Sequence, residues 1–363
     1  MAHSARREDY QRLGLQFVRS LDGDPSVSAT RSFASFGQRF AQDRDSLPQT
    51  DADRAFHLVA EAAEVVDYEL PFAVGEKAKQ LVAHGKQLLD EALALDADCF
   101  DALRMRSSTE SATVSDRYEF LRAEEPRVLE VCRKRSKEAQ FNAPERDALG
   151  VDLAMRPHRR WLASMAEEAL ICGRNRLAAE HAEALLREDP HDLSDVRYTL
   201  ALAYAKLEDE PAFEELAARY RQICPTRGAD DAWMGICRIA FAHKRHNPTL
   251  ARTHLSELLR AYPQGAVALI RQTDIPDGEF ARLVVNPYSE DEMVVAVSEA
   301  IVLLQEGNDP TGKGVLGQWI AANVAKMRPR ALEEARAIDA QLRAQAAANG
   351  EGPAPAGPEG GAR

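Results

Sequence analysis

The chain has 363 residues, 45% hydrophobic and 29% charged, a composition able to bury a core and long enough for two globular domains or one extended repeat array. Its formal net charge of −12 argues against general affinity for nucleic acid or for an anionic membrane, since both require a positive surface field. No apolar run approaches the roughly 20 residues needed to cross a bilayer, so no membrane partner is expected.

At the N-terminus, MAHSARREDYQRLG lacks the apolar core of a secretory signal. Residues 1–52 read as an irregular segment around one short helix, because DGDPSVSATRSFASFG and DSLPQTDAD are rich in turn formers. The five cysteines, Cys99, Cys132, Cys172, Cys224 and Cys237, are odd in number and include no C-x-x-C pair. Reduced thiols in a cytoplasm are the expectation.

From about residue 54 to residue 345 helical periodicity recurs and strand-like alternation is almost absent, which makes the fold class all-α. Residues 53–158 read as degenerate helical repeats. Leu81, Val82, Gly85, Leu88, Leu89, Ala92 and Leu93 form one apolar stripe there. Pro126 is expected to open a helix through RVLEVCRKRSKEAQF, with Val128, Leu129 and Cys132 inward and its basic residues solvated rather than reading nucleic acid.

Residues 159–328 carry a clearer grammar of helix, polar turn, second helix and terminating proline. A helix at 159–172 presents Leu162, Met165, Ala166, Ala169 and Leu170 on one face; Gly173 and Asn175 break it, and a second helix runs to Arg187. SDVRYTLALAYAKLED is followed by EPAFEELAARYRQICP, and DAWMGICRIAFAHKRH by NPTLARTHLSELLRAYP, where Asn247 and Pro248 supply a cap and a first-turn proline. Leu200, Ala201 and Tyr204, and Trp233, Ile236, Cys237 and Ala240, occupy first-helix positions. Ala178 and Ala251 stand 12 residues before Pro190 and Pro263. One such pair cannot bury its apolar face alone, so the expected architecture is an α-solenoid of stacked antiparallel helix pairs.

On these residues the chain resembles the tetratricopeptide repeat (TPR), whose unit is about 34 residues long. Asp189, Pro190, Asp192, Arg197, Tyr198, Ser289, Glu292 and Trp319 are similar to a pattern in bacterial relatives of the suppressor of tumorigenicity family, over roughly residues 160 to 322. The resemblance implies a cytoplasmic interaction scaffold without catalysis, and it brings no active-site residues.

In SEDEMVVAVSEAIVLLQEG, Ser289 with Glu292 reads as a capping box on a 17-residue helix ending at Gly307. The octet GNDPTGKG at 307–314 has the glycine and lysine spacing of a P-loop, but Gly314 replaces the hydroxyl residue and a capped helix stands where a strand is needed. It reads as a turn into VLGQWIAANV. Residues 329–348 form an Ala/Glu/Arg helix with a seam at Leu332, Ala335, Ile338 and Leu342, and residues 349–363 a disordered tail.

His243, His246 and His254 lack metal-ligand spacing, so no metal and no cofactor is expected. What remains is a concave groove lined by first helices. Arg160, Glu167, Asp195, Tyr198, Lys206 and Arg238 project toward it in this register, to bind a protein or peptide partner. The alternative is an enzyme or nucleotide-binding protein using the 307–314 loop or the N-terminal segment.

Overall fold

The computed structural model describes residues 4–21, 29–140, 144–223, 230–276, 278–307 and 312–348. Among these residues the chain is all-helical, with no strand, and its helices pack in sequence-adjacent pairs. Two compact units divide it: residues 1–196 with 276–283, and residues 197–275 with 284–363.

The first unit contains α1 (Ala5–Leu21), α2 (Ala29–Gln42), α3 (Asp51–Ala63), α4 (Gly75–Leu95), α5 (Phe100–Glu110), α6 (Val114–Glu138), α7 (Pro144–Ile171) and α8 (Asn175–Glu188). The N-terminal stretch therefore holds two helices where turn-forming composition had pointed to one. Leu13 and Phe17 of α1 bury against Phe36 of α2 and Leu47, and this apolar cluster outweighs the local propensity. Thr50 starts α3 with a complete capping box, its hydroxyl accepting from Asp53 N–H while the Asp53 carboxylate accepts the Thr50 N–H.

Pro126 does not open a helix; it lies inside α6, whose start is set by Thr113, the hydroxyl of which accepts the Asp116 N–H at 3.1 Å. α7 likewise begins at Pro144, not at 159, and runs through Pro157. Burial explains both corrections. Tyr118, Leu121, Val128 and Cys132 of α6 are buried, as are Trp161, Leu162 and Met165 of α7, and the α6–α7 pairing holds long helices across their prolines. After α3 the helix widens into one π-type turn, Glu64–Glu69, and tightens into a 3₁₀ turn at Leu70–Phe72.

The second unit contains α9 (Arg197–Leu207), α10 (Glu210–Ile223), α11 (Ala232–Lys244), α12 (Pro248–Ala261), α13 (Ala266–Arg271), α14 (Glu290–Glu299), α15 (Ile301–Leu304), α16 (Val315–Met327) and α17 (Pro329–Ala348). Asn247 caps α12 through the Leu250 N–H, with Pro248 in the first turn, as the sequence predicts. The expected small residues Ala201, Cys237, Ala240 and Ala251 are all fully buried. The helix expected from Ser289 to Gly307 is interrupted at Ala300 into α14 and α15. Ser289 does cap it, accepting the Glu292 N–H at 3.1 Å, but the Glu292 carboxylate takes the Tyr262 hydroxyl and the Tyr288 N–H.

Candidate functional site

The first unit encloses a segment that belongs to a distant part of the chain. Residues 278–283 have no regular structure, so their main-chain polar groups need partners outside the segment. Asp67 and Arg104 supply them. The two Asp67 carboxylate oxygens accept the main-chain N–H groups of Glu279 at 2.7 Å and Phe280 at 3.2 Å. Arg104 donates to the carbonyl oxygens of the same two residues, at 2.7 and 2.8 Å, and to the Ser164 hydroxyl at 3.1 Å. One carboxylate and one guanidinium thus satisfy two consecutive peptide units of a bent segment.

The side chains of the segment are held separately. The Glu279 carboxylate accepts from Arg117 at 2.8 Å, and Arg117 also pairs with Glu168 of α7 at 2.8 Å. Phe280 is 3% exposed and packs with Phe56, Ala60 and Ala63 of α3 and with Ala5. Its ring meets Phe56 edge-on at 6.0 Å between centroids, and the Arg160 guanidinium lies 4.6 Å from the ring centre. Arg282 donates to the Asp195 carbonyl.

Each clamp residue is positioned by the fold. Asp67 sits on the π-type turn that extends α3, an irregularity that recurs at functional sites. Burial pushes its carboxyl up to about 7; the two N–H bonds offset part of that rise and the Glu279 charge adds to it. Arg104 is a buried residue of α5, anchored by Asp101 one turn earlier at 3.6 Å. Behind it, Arg160 of α7 bonds the Asp101 carboxylate at 2.7 and 2.6 Å and Glu8 at 2.9 and 3.3 Å. Burial alone would raise the Glu8 carboxyl, but Arg160, Arg12 and Arg156 hold it well below the ordinary carboxylate range. The socket wall is therefore a fixed, ionised network.

A cleft of about 160 Å³ opens beside this clamp, lined by Arg6, Glu64, Asp67, Tyr68, Phe280 and Arg282 among others. That is well below the roughly 300 Å³ at which pockets for drug-sized ligands begin, which favours a chain contact over a small-molecule site.

Of the six residues expected in a groove, Arg160, Glu167 and Asp195 fall in the first unit and Tyr198, Lys206 and Arg238 in the second. Arg160 and Asp195 both touch the enclosed segment, Arg160 through its guanidinium and Asp195 through its carbonyl. Glu167 is half-buried on α7. Tyr198 is buried, stacked on Trp233 with centroids 3.8 Å apart. Lys206 donates to the Val302 carbonyl and to Glu306, and Arg238 pairs with Asp230 and Glu214. Sequence reasoning passed over Asp67, Arg104, Arg117, Glu279 and Phe280. The available signal was TDIPDGEFARLVV, a non-periodic stretch whose aromatic residue needs a place to bury.

At 307–314 the described residues form a helix exit and entry. Gly307 and Gly312 take left-handed φ of 66° and 80°, α15 precedes them, and the Gly314 N–H bonds the Leu304 carbonyl at 2.8 Å before α16 starts. Asn308, Asp309, Pro310 and Thr311 lie outside the described residues, as do Cys224 and the tail 349–363. His254 pairs with Glu257, and the His243 ring lies 5.4 Å from that of Trp319. Among the described residues no group of three or more His, Cys, Asp or Glu is placed to hold a metal ion. Burial pushes the Cys99 and Cys132 thiols up to about 12 and about 11, which removes both as nucleophiles near neutral pH. Comparison with protein-family models, with curated proteins and with solved structures gives no match.

Proposed function

We propose that this protein is a non-catalytic interaction module that takes a non-helical segment of a partner polypeptide into its helical array. The observation that carries the reading is the pairing of Asp67 and Arg104, which serves consecutive peptide groups of an irregular segment through their main chain. Such recognition suits a ligand defined by its backbone, with side-chain sockets adding selectivity. The sequence-adjacent helix pairs are compatible with a TPR-like solenoid, whereas Arg160, Asp195 and Tyr198, expected to line its groove, are buried. Free thiols at Cys99, Cys132, Cys172 and Cys237 support a reducing compartment such as the cytoplasm.

A photo-reactive phenylalanine placed at Tyr68, 48% exposed on the rim of the cleft, tests the reading. Incubated in native extract, it is expected to cross-link to a partner polypeptide. The same group at Leu250, 39% exposed on α12, should not. Equal capture from both positions, or none from either, rejects the cleft as a partner site.

A further inference from the structure

We propose that Gly278–Leu283 is an intramolecular stand-in for that partner, and that the external ligand is a peptide that takes the same bend and in which an acidic residue is followed directly by an aromatic one. This rests on reading the first unit as a peptide-binding module, and it names the chemistry of what binds.

The enclosed segment divides into a part any chain could supply and a part specific to its side chains. The four main-chain bonds to Asp67 and Arg104 ask only for a backbone bent at residues 279–281, which turns two consecutive N–H groups toward one carboxylate. The two side-chain contacts ask for more. Arg117 reaches the Glu279 carboxylate, and the socket formed by Phe56, Ala60, Ala63 and the Arg160 guanidinium receives a flat aromatic ring. A carboxylate suits the first position because Arg117 forks between it and Glu168, and an amide there would leave half of that charge pairing unmade. An aromatic suits the second because a guanidinium stacked on the site gains from a π-face and gains nothing from an aliphatic chain.

The segment is an imperfect occupant. Arg104 Nε and Arg117 Nε are buried without an acceptor, so the clamp carries donors that the chain's own segment leaves unused. Its enclosed carboxylate also pays for burial, since Asp67 is pushed up to about 7 with the segment in place. A ligand that supplies one further acceptor to these guanidinium groups improves on the stand-in. The stand-in in turn has the advantage of covalent attachment, with an effective concentration on the order of millimolar. The expected behaviour is therefore a closed site that a better ligand opens.

Gly278 provides the means to empty the site while leaving its wall untouched. A Cβ on this residue would lie 2.2 Å from the Ala281 carbonyl oxygen and 3.3 Å from an Asp67 oxygen, so Gly278→Val forces the segment out of its turn. The probe is a fluorescein-labelled peptide with the sequence of residues 274–285, DIPDGEFARLVV, titrated by anisotropy against the full chain. The expected result is binding at least ten-fold tighter to the Gly278→Val protein than to the wild type. A peptide with both Glu and Phe replaced by Ala should lose that gain. Equal binding to both proteins, no binding to either, or indifference to the double replacement overturns the proposal.

If Gly278→Val does not fold, hydrogen exchange on the wild type decides instead. Saturating the wild type with an excess of the peptide should deprotect the amides of Glu279 and Phe280 while those of α6 and α7 stay protected, and unchanged protection at both amides overturns the proposal. A cross-linked partner at position 68 together with failure of the peptide overturns the stand-in alone, whereas absence of any partner at position 68 overturns the peptide-binding reading beneath it.

Discussion

The carboxylate of Asp67 accepts the main-chain N–H of Glu279 at 2.7 Å across 212 positions of sequence. Loop-closure cost grows only slowly with length, and the burial of Phe280 shares it, so the bond is sustained by the two buried groups it satisfies. Asp67 is buried on an irregular turn and the Glu279 amide lies in a segment with no helix of its own. Each satisfies the other, and Arg104 completes the arrangement from the carbonyl side.

Arg104 should therefore be the residue whose loss is felt most locally. Arg104→Ala leaves two carbonyl oxygens and the Ser164 hydroxyl without their donor, and about 2–4 kcal/mol of local stability should disappear. Arg104→Lys should recover less than half of it, because one ammonium cannot fork across consecutive carbonyls. Hydrogen exchange at the Glu279 and Phe280 amides measures this directly. Equal protection in Lys and Arg proteins would falsify the forked geometry.

The Asp67 carboxyl titrates at about 7 in the folded protein because burial disfavours its charge. Its folded value lies above the ordinary 3.8, so between about pH 4 and pH 7 the folded protein holds a proton that the unfolded chain has released. This group's contribution to stability is therefore greatest at the acidic end and declines as pH rises through 7, by at most about 4 kcal/mol. From pH 5 to pH 8 the melting temperature of the wild type should fall relative to that of Asp67→Asn, which lacks the titrating group. A wild-type curve as flat as that of Asp67→Asn counts against a proton held on Asp67 by its burial.

His158 of α7 should produce a slope in a different window. Its ring lies 2.9 Å from Glu125 of α6 and 3.2 Å from Glu188 of α8. Burial opposes its protonation, but the bonds and charges of Glu188 and Glu125 prevail and hold the imidazolium above the ordinary histidine value. A raised histidine stabilises fully below about pH 6.5, and the benefit is lost as pH rises through its folded value. His158→Gln should remove about 1–3 kcal/mol at pH 6 and much less at pH 9. Proton NMR titration of the wild-type imidazole, showing a midpoint at or below 6.5, would contradict it.

These two sites differ in how far the sequence announces them. The helix pairs from 159 to 263 were legible because Ala178, Ala201, Cys237 and Ala251 repeat at contact positions and every one is buried. Arg160 was legible as a polar residue of a first helix, but not its burial beneath Glu8 and Asp101, since those partners lie 152 and 59 positions away. Asp67 gave no local sign at all. A π-type turn arises from packing: it follows from what α4 and the enclosed segment press against, not from any cap or breaker in EVVDYE. Pro126 misled for the converse reason, because the α6–α7 contact tolerates the missing hydrogen bond that a solitary helix would not.

In the second unit the Tyr198–Trp233 stack is the corresponding structural test. The rings lie 3.8 Å apart at 12°, and the Trp233 indole N–H donates to Glu299 at 2.8 Å. Trp233→Leu should cost about 3–5 kcal/mol through lost area and the cavity left behind. Trp233→Phe retains an aromatic face but removes the indole donor to Glu299, so about 1–2 kcal/mol is expected. Urea unfolding followed by far-UV circular dichroism should give that order, and equal losses mean that the indole N–H bond, which both variants remove, outweighs the stack.

The π-type turn itself can be tested from α4, without altering any residue of the clamp. Gly85 is buried on α4, and a Cβ there would lie 2.9 Å from a methyl group of Val66, next to Asp67. The contact is with a branched, short side chain held by the turn, so relief requires the turn to move. Gly85→Leu should consequently displace Asp67 from the Glu279 and Phe280 amides and cost about 1–3 kcal/mol from overpacking. Gly75 supplies the control. It has a φ of +60° with nothing within reach of a Cβ, so Gly75→Ala strains the backbone at the start of α4 while crowding no neighbour. Exchange at the Glu279 and Phe280 amides should rise for the residue 85 variant and stay near the wild-type rate for the residue 75 variant. Matching rates in the two would mean that the clamp tolerates movement of its turn, and that Arg104 alone holds the segment.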